Sequence, residues 1–111
     1  MKVQLSQQSI RFRVSQEEFQ RLRDERVLIG TTDFPEGLAI RYEVRVSGEA
    51  CGIKLQGTRI VLQLSDSELS RLAGSPPSKK SGANFEVQLE GDAALRVCFE
   101  TDFFSSRKHE A

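Results

Sequence analysis

"SIRFRVSQEEFQRL", residues 9–22, decides the fold of this chain, because nearly the same pattern returns fifty positions later as "RIVLQLSDSELSRL", residues 59–72. In each copy apolar and polar residues first alternate, which is typical of a half-buried strand. A Ser-x-x-Glu capping box follows, at Ser15 and Glu18 and again at Ser65 and Glu68, and predicts the start of a helix. The segment therefore predicts a strand leading directly into a helix, twice.

Alternation extends this unit on both sides. "MKVQL" precedes the first strand after a short turn, and "VLIGTTDF" and "LAIRYEVRV" follow the first helix around the turn "PEG". The second half offers "GIKLQ" before its strand, then "NFEVQL" and "ALRVCFETDFF" after its helix. Pro-Pro cannot continue a helix, so "SPPSKKSGA", residues 75–83, is predicted to be a loop. Each half thus reads strand, strand, helix, strand, strand.

The two halves align without a gap. Residues 3–22 match residues 53–72, with six identical pairs: Leu5/Leu55, Ile10/Ile60, Ser15/Ser65, Glu18/Glu68, Arg21/Arg71 and Leu22/Leu72. This favours an internal duplication, with repeats at about 1–50 and 51–104. One such unit has an apolar face with nothing to cover it, so two copies are expected to pack together or close into a barrel.

We therefore predict one α+β domain over residues 1–104, followed by a flexible tail at 105–111. Eight mainly antiparallel strands would form a closed or nearly closed barrel-like sheet, with two short helices over its open ends or one face. Alternation places one set of strand residues on the apolar face of the first half: Val3, Leu5, Ile10, Phe12, Val14, Leu38, Ile40, Tyr42, Val44 and Val46.

Composition bounds the class of protein. A chain of 111 residues with 38% hydrophobic and 29% charged residues is typical of one soluble globular domain. The formal net charge is zero, which argues against a general nucleic-acid or anionic-membrane binder, because such proteins need a basic excess. Polar residues at every second or third position of the N-terminal segment predict neither a signal peptide nor a membrane span. We expect a cytoplasmic protein.

The sequence offers no catalytic motif. Cys51 and Cys98 are predicted to be free thiols, since no CxxC spacing is present and the cytoplasm is reducing. The only histidine, His109, lies in the polar tail, so neither a Cys/His dyad nor a histidine metal site is available. We predict no catalytic residue, no metal and no cofactor.

Arginine on the polar strand faces is the most informative feature. In the first half these faces carry Arg11, Arg13, Arg41 and Arg45, and in the second Arg96. One interpretation is an anion site, because arginine forks suit phosphate and carboxylate groups. A second is a solvated sheet whose charges pair across strands for a few tenths of a kcal/mol each, roughly. In a third, the basic face of one half meets the more acidic face of the other, inside a wide barrel or across a homodimer.

The opening "MKVQLSQQSIRFRVSQEEFQRL", the central "YEVRV" and the closing "LRVCFETDFF" together resemble a family of short bacterial proteins of unknown function. Members of that family begin with a similar Met-Lys hairpin and an "NSIRLRL"-type strand, and end in "KDF" followed by cysteine. The likeness spans nearly the whole chain, which departs at its end, where Phe104 and two serines replace the cysteine. The family has no established activity, so the resemblance implies no functional residue.

Two function hypotheses follow. The first is a small non-enzymatic binding protein that recognises a small anion or a protein partner through Arg11, Arg13, Arg41, Arg45 and Arg96. The second is a phosphate-ester or polyphosphate hydrolase, in which the arginines clamp phosphate and Glu43, Glu86 or Glu100 holds a metal. The duplicated topology is similar to the triphosphate-tunnel fold, but the Glu-x-Glu-x-Lys signature of that fold is missing.

Overall fold

The structure, a computed structural model, describes residues 1–74 and 81–102. Both halves follow the predicted order of strand, strand, helix, strand, strand. The elements are β1 (Lys2–Ser6), β2 (Ser9–Ser15), α1 (Gln16–Glu25), β3 (Val27–Asp33), β4 (Ala39–Val46), β5 (Gly52–Gln56), β6 (Arg59–Leu64), α2 (Asp66–Gly74), β7 (Ser81–Gln88) and β8 (Ala94–Asp102).

The strands form two four-stranded mixed sheets. Sheet A has the order β1-β2-β8-β7 and sheet B the order β3-β4-β6-β5. Strands within each hairpin are antiparallel, whereas the central pairs β2/β8 and β4/β6 are parallel. Across residues 1–74 and 81–102 no ladder joins the sheets, so the predicted barrel is wrong. Each helix carries the chain from one sheet to the other, and each half therefore gives one hairpin to each sheet.

The two sheets correspond strand for strand. Exchanging the first four strands with the last four converts one strand order into the other. Ser9 pairs with Arg96 in sheet A and Arg59 pairs with Arg41 in sheet B, so Arg96 and Arg41 hold equivalent places. Residues 9 and 59 are fifty apart but 41 and 96 are fifty-five apart. The five additional residues fall between α2 and β7.

One apolar core joins both sheets and both helices. It contains buried side chains from β2, β4, β6, β7 and β8, and the predicted helix stripes Phe19/Leu22 and Leu69/Leu72. Burial of apolar side chains of this size contributes about 1.5–3 kcal/mol each relative to exposure. Among the described residues no helix has the length and apolarity to cross a membrane.

The N-termini of α1 and α2 are capped by different hydrogen bonds, although both begin with the sequence Ser-x-x-Glu. In α1 the full capping box forms, because Ser15 Oγ accepts from the Glu18 amide and Glu18 accepts from the Ser15 amide at 3.0 Å. Glu18 also receives the terminal ammonium of Met1. In α2 the Ser65 hydroxyl caps as predicted, but its amide donates to Cys51 Sγ at 3.5 Å.

These contacts set the charge state of Glu18. Burial raises the pKa of its carboxyl, but the hydrogen bonds from the terminal ammonium and from Ser15, with the positive charge of the ammonium, outweigh burial. The pKa therefore lies below its ordinary value. The equivalent Glu68 turns away from the cap and pairs with Arg71 instead.

Leu5 and Leu38, both predicted on the apolar face, are exposed, and so is Leu55, the counterpart of Leu5 in the alignment of the halves. Leu5 is 68% exposed, Leu55 73% and Leu38 62%. Leu5 and Leu55 lie on the edge strands β1 and β5, close to the hairpin turns, and Leu38 follows the turn before β4. An edge strand has a neighbouring strand on one side only, so a side chain on its apolar face is not necessarily buried.

The predicted loop at 75–83 is partly wrong, since β7 begins at residue 81. Ala83 is buried opposite Phe99 of β8. A Cβ at Gly82 would lie 2.7 Å from the Phe99 carbonyl oxygen, so the glycine permits close approach of the two strands. Residues 75–80 and the predicted tail at 105–111 lie outside the described residues, as do Phe103 and Phe104.

Candidate anion site on the sheet faces

The predicted arginines are divided between the outer faces of two different sheets. Arg11, Arg13 and Arg96 lie on the outer face of sheet A, and Arg41 and Arg45 on the outer face of sheet B. The structure therefore does not bring all five together, because the first-half strands β2 and β4 belong to separate sheets. Each face must be considered as a separate site.

On sheet B the arginines surround a buried carboxylate, Glu43. Its side chain is only 2% exposed, although alternation places it on the polar face of β4. Arg45 Nε donates to Glu43 Oε2 at 2.9 Å. Arg59 Nη1 and Arg41 Nη1 lie 3.6 and 3.9 Å from Glu43 Oε1. Ile29 and Val61 are its neighbours on the flanking strands.

Burial makes Glu43 dependent on these arginines. An ionised carboxylate removed from water costs several kcal/mol unless charges and hydrogen bonds compensate it. Arg41 and Arg45 provide that compensation from the same strand, and Arg59 from β6. The carboxylate in turn holds three like charges close together.

The arginines have donors to spare. Each guanidinium carries five N–H donors, whereas one carboxylate accepts about four hydrogen bonds. The side chains of Arg41, Arg45 and Arg59 remain 54%, 55% and 41% exposed. Lys54 of β5, opposite Val61, adds another exposed positive charge. The cluster therefore has a net positive charge and unused donors facing water.

Sequence reasoning missed Arg59. Alternation in "RIVLQL" places it on the polar face of β6, but nothing local predicts that β6 pairs in parallel with β4. That pairing sets Arg59 directly opposite Arg41. Alternation is the signal that could have placed Arg59 on the polar face of β6. It does not indicate that β4 is the neighbouring strand.

A shallow depression of about 360 Å³ adjoins the cluster on the outer face of sheet B. Its cationic lining residues are Arg45, Lys54 and Arg59, and Gln56 and Gln63 add polar groups. These side chains come from three neighbouring strands, which hold the cations around one opening.

On sheet A the two halves neutralise each other in part. Glu100 of β8 lies 3.5 Å from both Arg11 Nε and Arg13 Nη2 of β2. A basic strand of the first half thus meets an acidic strand of the second, side by side within one sheet. Both arginines are close to half exposed, so each contact contributes at most about 1 kcal/mol.

Beside that pair sheet A has an open groove of about 700 Å³. Its lining includes Arg11, Arg96, Glu86, Ser9 and Cys98. Burial, followed by the Glu100 carboxylate, raises the pKa of the Cys98 thiol above its ordinary value, and the two nearby arginines oppose this effect. A thiol with a raised pKa is mostly protonated at neutral pH and is a poor nucleophile.

The carboxylates of the hydrolase hypothesis do not converge. Glu43 lies on sheet B, whereas Glu86 and Glu100 lie on sheet A. Within residues 1–74 and 81–102 no group of three or more His, Cys, Asp or Glu side chains is placed to hold a metal ion. Cys51 and Cys98 are free thiols, as predicted.

Fold and site together define a class: a small α+β protein whose two sheets carry arginine-rich outer faces. The chain belongs to DUF7009, a family of unknown function, whose model matches residues 1–110. This confirms the resemblance to a family of unknown function. Comparison with curated proteins and with solved structures finds no match.

Proposed function

We propose that this protein is a non-enzymatic binding protein that holds a phosphate group in the depression beside Glu43 on sheet B. The observation that carries the proposal is one buried carboxylate surrounded by three arginines that stay about half exposed. One internal negative charge cannot neutralise three guanidiniums and Lys54. A dianionic phosphate supplies two of the three missing negative charges, and its oxygens accept the bidentate hydrogen bonds that guanidinium groups offer.

Glu43 would act as an organiser of the site. Free arginine side chains lose conformational entropy when a ligand fixes them, which weakens binding. Here Arg45 is already held by its 2.9 Å bond to Glu43, and Arg59 contacts both Glu43 and Gln56. Preorganised donors bind an anion at a lower entropic cost.

Thermal unfolding with added inorganic phosphate, pyrophosphate or a nucleoside monophosphate tests this function. A ligand at about a hundred times its dissociation constant adds roughly 2.7 kcal/mol, a shift of order 10 °C for a domain of this size. Phosphate and its esters should raise the midpoint, and chloride at equal ionic strength should not. A shift with pyrophosphate or the nucleotide alone would narrow the ligand to larger phosphates.

Lys54→Gln is the decisive variant, because Lys54 lines the depression and is in no ion pair with a described residue. It should weaken phosphate binding without loss of stability. Lys2→Gln is the matched control, since Lys2 is also an exposed lysine on an edge strand but belongs to sheet A. Equal loss in both variants would show that only net charge matters and would refute a defined site.

The repeated architecture supports an internal duplication. The two halves share an element order, equivalent strand orders and six identities over an ungapped alignment. We extend the proposal to a single domain over residues 1–104 and a cytoplasmic location, where phosphorylated small molecules are available. A small anion, and neither nucleic acid nor a membrane, is the proposed partner.

A further inference from the structure

The equivalence of the two sheets reveals a difference at their centres. The strand registers make Arg96 and Cys98 of β8 the counterparts of Arg41 and Glu43 of β4. In sheet B the Glu43 carboxylate lies beside Arg41. Arg45 and Arg59 contact the same carboxylate. In sheet A the same place holds a thiol, which is shorter and accepts hydrogen bonds weakly. Arg96 therefore has no carboxylate at the place beside it, and the Glu100 carboxylate farther along β8 pairs with Arg11 and Arg13.

Arg96 consequently has no internal anion. No carboxylate of residues 1–74 and 81–102 lies within 4.0 Å of its guanidinium. The groove above it measures about 700 Å³, against about 360 Å³ for the depression on sheet B. A groove of this size is in the range that holds small molecules, about 300–1,000 Å³.

Glu86 supplies the opposite charge. It lies directly across from Arg96 in the β7/β8 register and lines the same groove, yet the two make no ion pair within 4.0 Å. Cross-strand neighbours have Cβ atoms about 5 Å apart. An unpaired cation and an unpaired anion thus line one groove from neighbouring strands, an arrangement that suits a ligand carrying both charges.

We propose that the groove on sheet A binds a small zwitterion of the amino-acid type. Its carboxylate takes, beside Arg96, the place that Glu43 takes beside Arg41, and its ammonium group pairs with Glu86. Gln4, Ser6 and Asn84 also line the groove and can hydrogen-bond a polar side chain of the ligand, beside the apolar Ile10, Phe85 and Val97. This site is independent of the phosphate site, since it lies on the other sheet.

The test is a titration of the ¹⁵N-labelled protein, followed by amide chemical shifts, with L-glutamine, acetate and ethylammonium as probes. L-Glutamine should move the amides around Ser9, Arg96 and Cys98 saturably and leave those around Arg59 unchanged. Acetate and ethylammonium, each with one charge, should bind more weakly. No saturable shift with L-glutamine, or shifts centred on sheet B, would overturn the proposal.

Substitutions separate the two charges. Arg96→Gln should weaken L-glutamine binding at least about tenfold, the loss of one charged hydrogen-bond partner. Glu86→Gln should weaken the binding of L-glutamine but not the binding of acetate. Arg21→Gln, which removes an exposed arginine of α1, is the control and should bind as the wild type does. If Arg96→Gln and Glu86→Gln also bind as the wild type does, the groove is not the site.

Cys98→Glu tests directly whether the ligand carboxylate takes the place beside Arg96 that Glu43 takes beside Arg41. It puts a carboxylate at the position equivalent to Glu43, where it should pair with Arg96 and abolish binding of both L-glutamine and acetate. A dispersed amide spectrum establishes that the variant is folded; if it is not, Arg96→Gln, at an exposed position, decides the matter. Undiminished binding to folded Cys98→Glu would refute the equivalence. Neither result depends on whether phosphate binds sheet B.

Discussion

Glu43→Gln is the substitution that most directly tests how the arginine face of sheet B is held together. Glutamine keeps the shape of the side chain and one carbonyl acceptor, but removes the negative charge between three arginines. The 2.9 Å bond from Arg45 is charge-assisted, and such bonds contribute about 1.5–3 kcal/mol. The contacts at 3.6 and 3.9 Å involve half-exposed arginines and add only a few tenths of a kcal/mol each, roughly.

The expected loss is therefore about 2 kcal/mol in the free energy of unfolding, since glutamine retains part of the bond to Arg45. At about 4 °C per kcal/mol for a chain of this length, the midpoint should fall by roughly 8 °C. Urea unfolding monitored by circular dichroism measures the free energy, and an unchanged m-value would show that the comparison is valid. Glu100→Gln is the matched control, because that side chain is 26% exposed and its two contacts are 3.5 Å long. It should cost less than about 1 kcal/mol.

The same variant separates stability from binding. Without the Glu43 carboxylate the three guanidiniums are no longer held in place for an anion, so phosphate should raise the midpoint of Glu43→Gln by less than that of the wild type. Chloride at equal ionic strength should have a smaller effect. A variant as stable as the wild type, with the same response to phosphate, would refute both the structural role of Glu43 and its place beside the anion site.

Two further predictions concern the helix caps and the strand contacts. Glu18→Gln should cost about 1 kcal/mol at neutral pH, because it removes the charge facing the Met1 ammonium. Since the folded pKa of Glu18 is lowered, its contribution is present above the unfolded pKa of about 4.3 and is lost as the pH falls through the folded pKa. The difference in free energy of unfolding between the wild type and Glu18→Gln should thus shrink in acid. A difference that widens there would contradict the role given to Glu18. Glu68→Gln is the control and should show less of this effect, because the Glu68 carboxylate does not reach its cap. Gly82→Ala should lower the free energy of unfolding, measured in urea, by about 1–3 kcal/mol, because the new Cβ would lie 2.7 Å from backbone. Gly30→Ala is the control and should cost less, because its Cβ would meet only the flexible end of Met1, at 3.2 Å. Equal losses would show that the close approach of β7 and β8 is unimportant.

Much of the architecture follows from local signals. Alternation predicted the strands, and the capping boxes predicted where α1 and α2 begin, because each depends on residues a few positions apart. The same signals identified arginine as the character of the polar faces. They also gave the strand order within each hairpin, since a short turn leaves an antiparallel neighbour as the only partner within reach.

Local signals did not predict the strand partners between halves. Alternation places Glu43 on the polar face of β4, but its side chain is buried among Arg41 and Arg45 of its own strand and Arg59 of β6. Leu5 is predicted on the apolar face, but both it and its counterpart Leu55 are exposed because their strands lie at sheet edges. In each case the outcome depends on which strand lies alongside.

The sequence by itself determined the order of the strands and helices, the two helix starts and the two kinds of face on the strands. Only the tertiary structure decided that the halves exchange hairpins between two open sheets, and hence which arginines meet which carboxylates. The physical reason is range. Turns and caps act over three or four residues, whereas the contact between Arg13 and Glu100 spans 87 positions and follows from the register of β2 and β8. Alternation marks two faces, but burial of the whole core selects the neighbours.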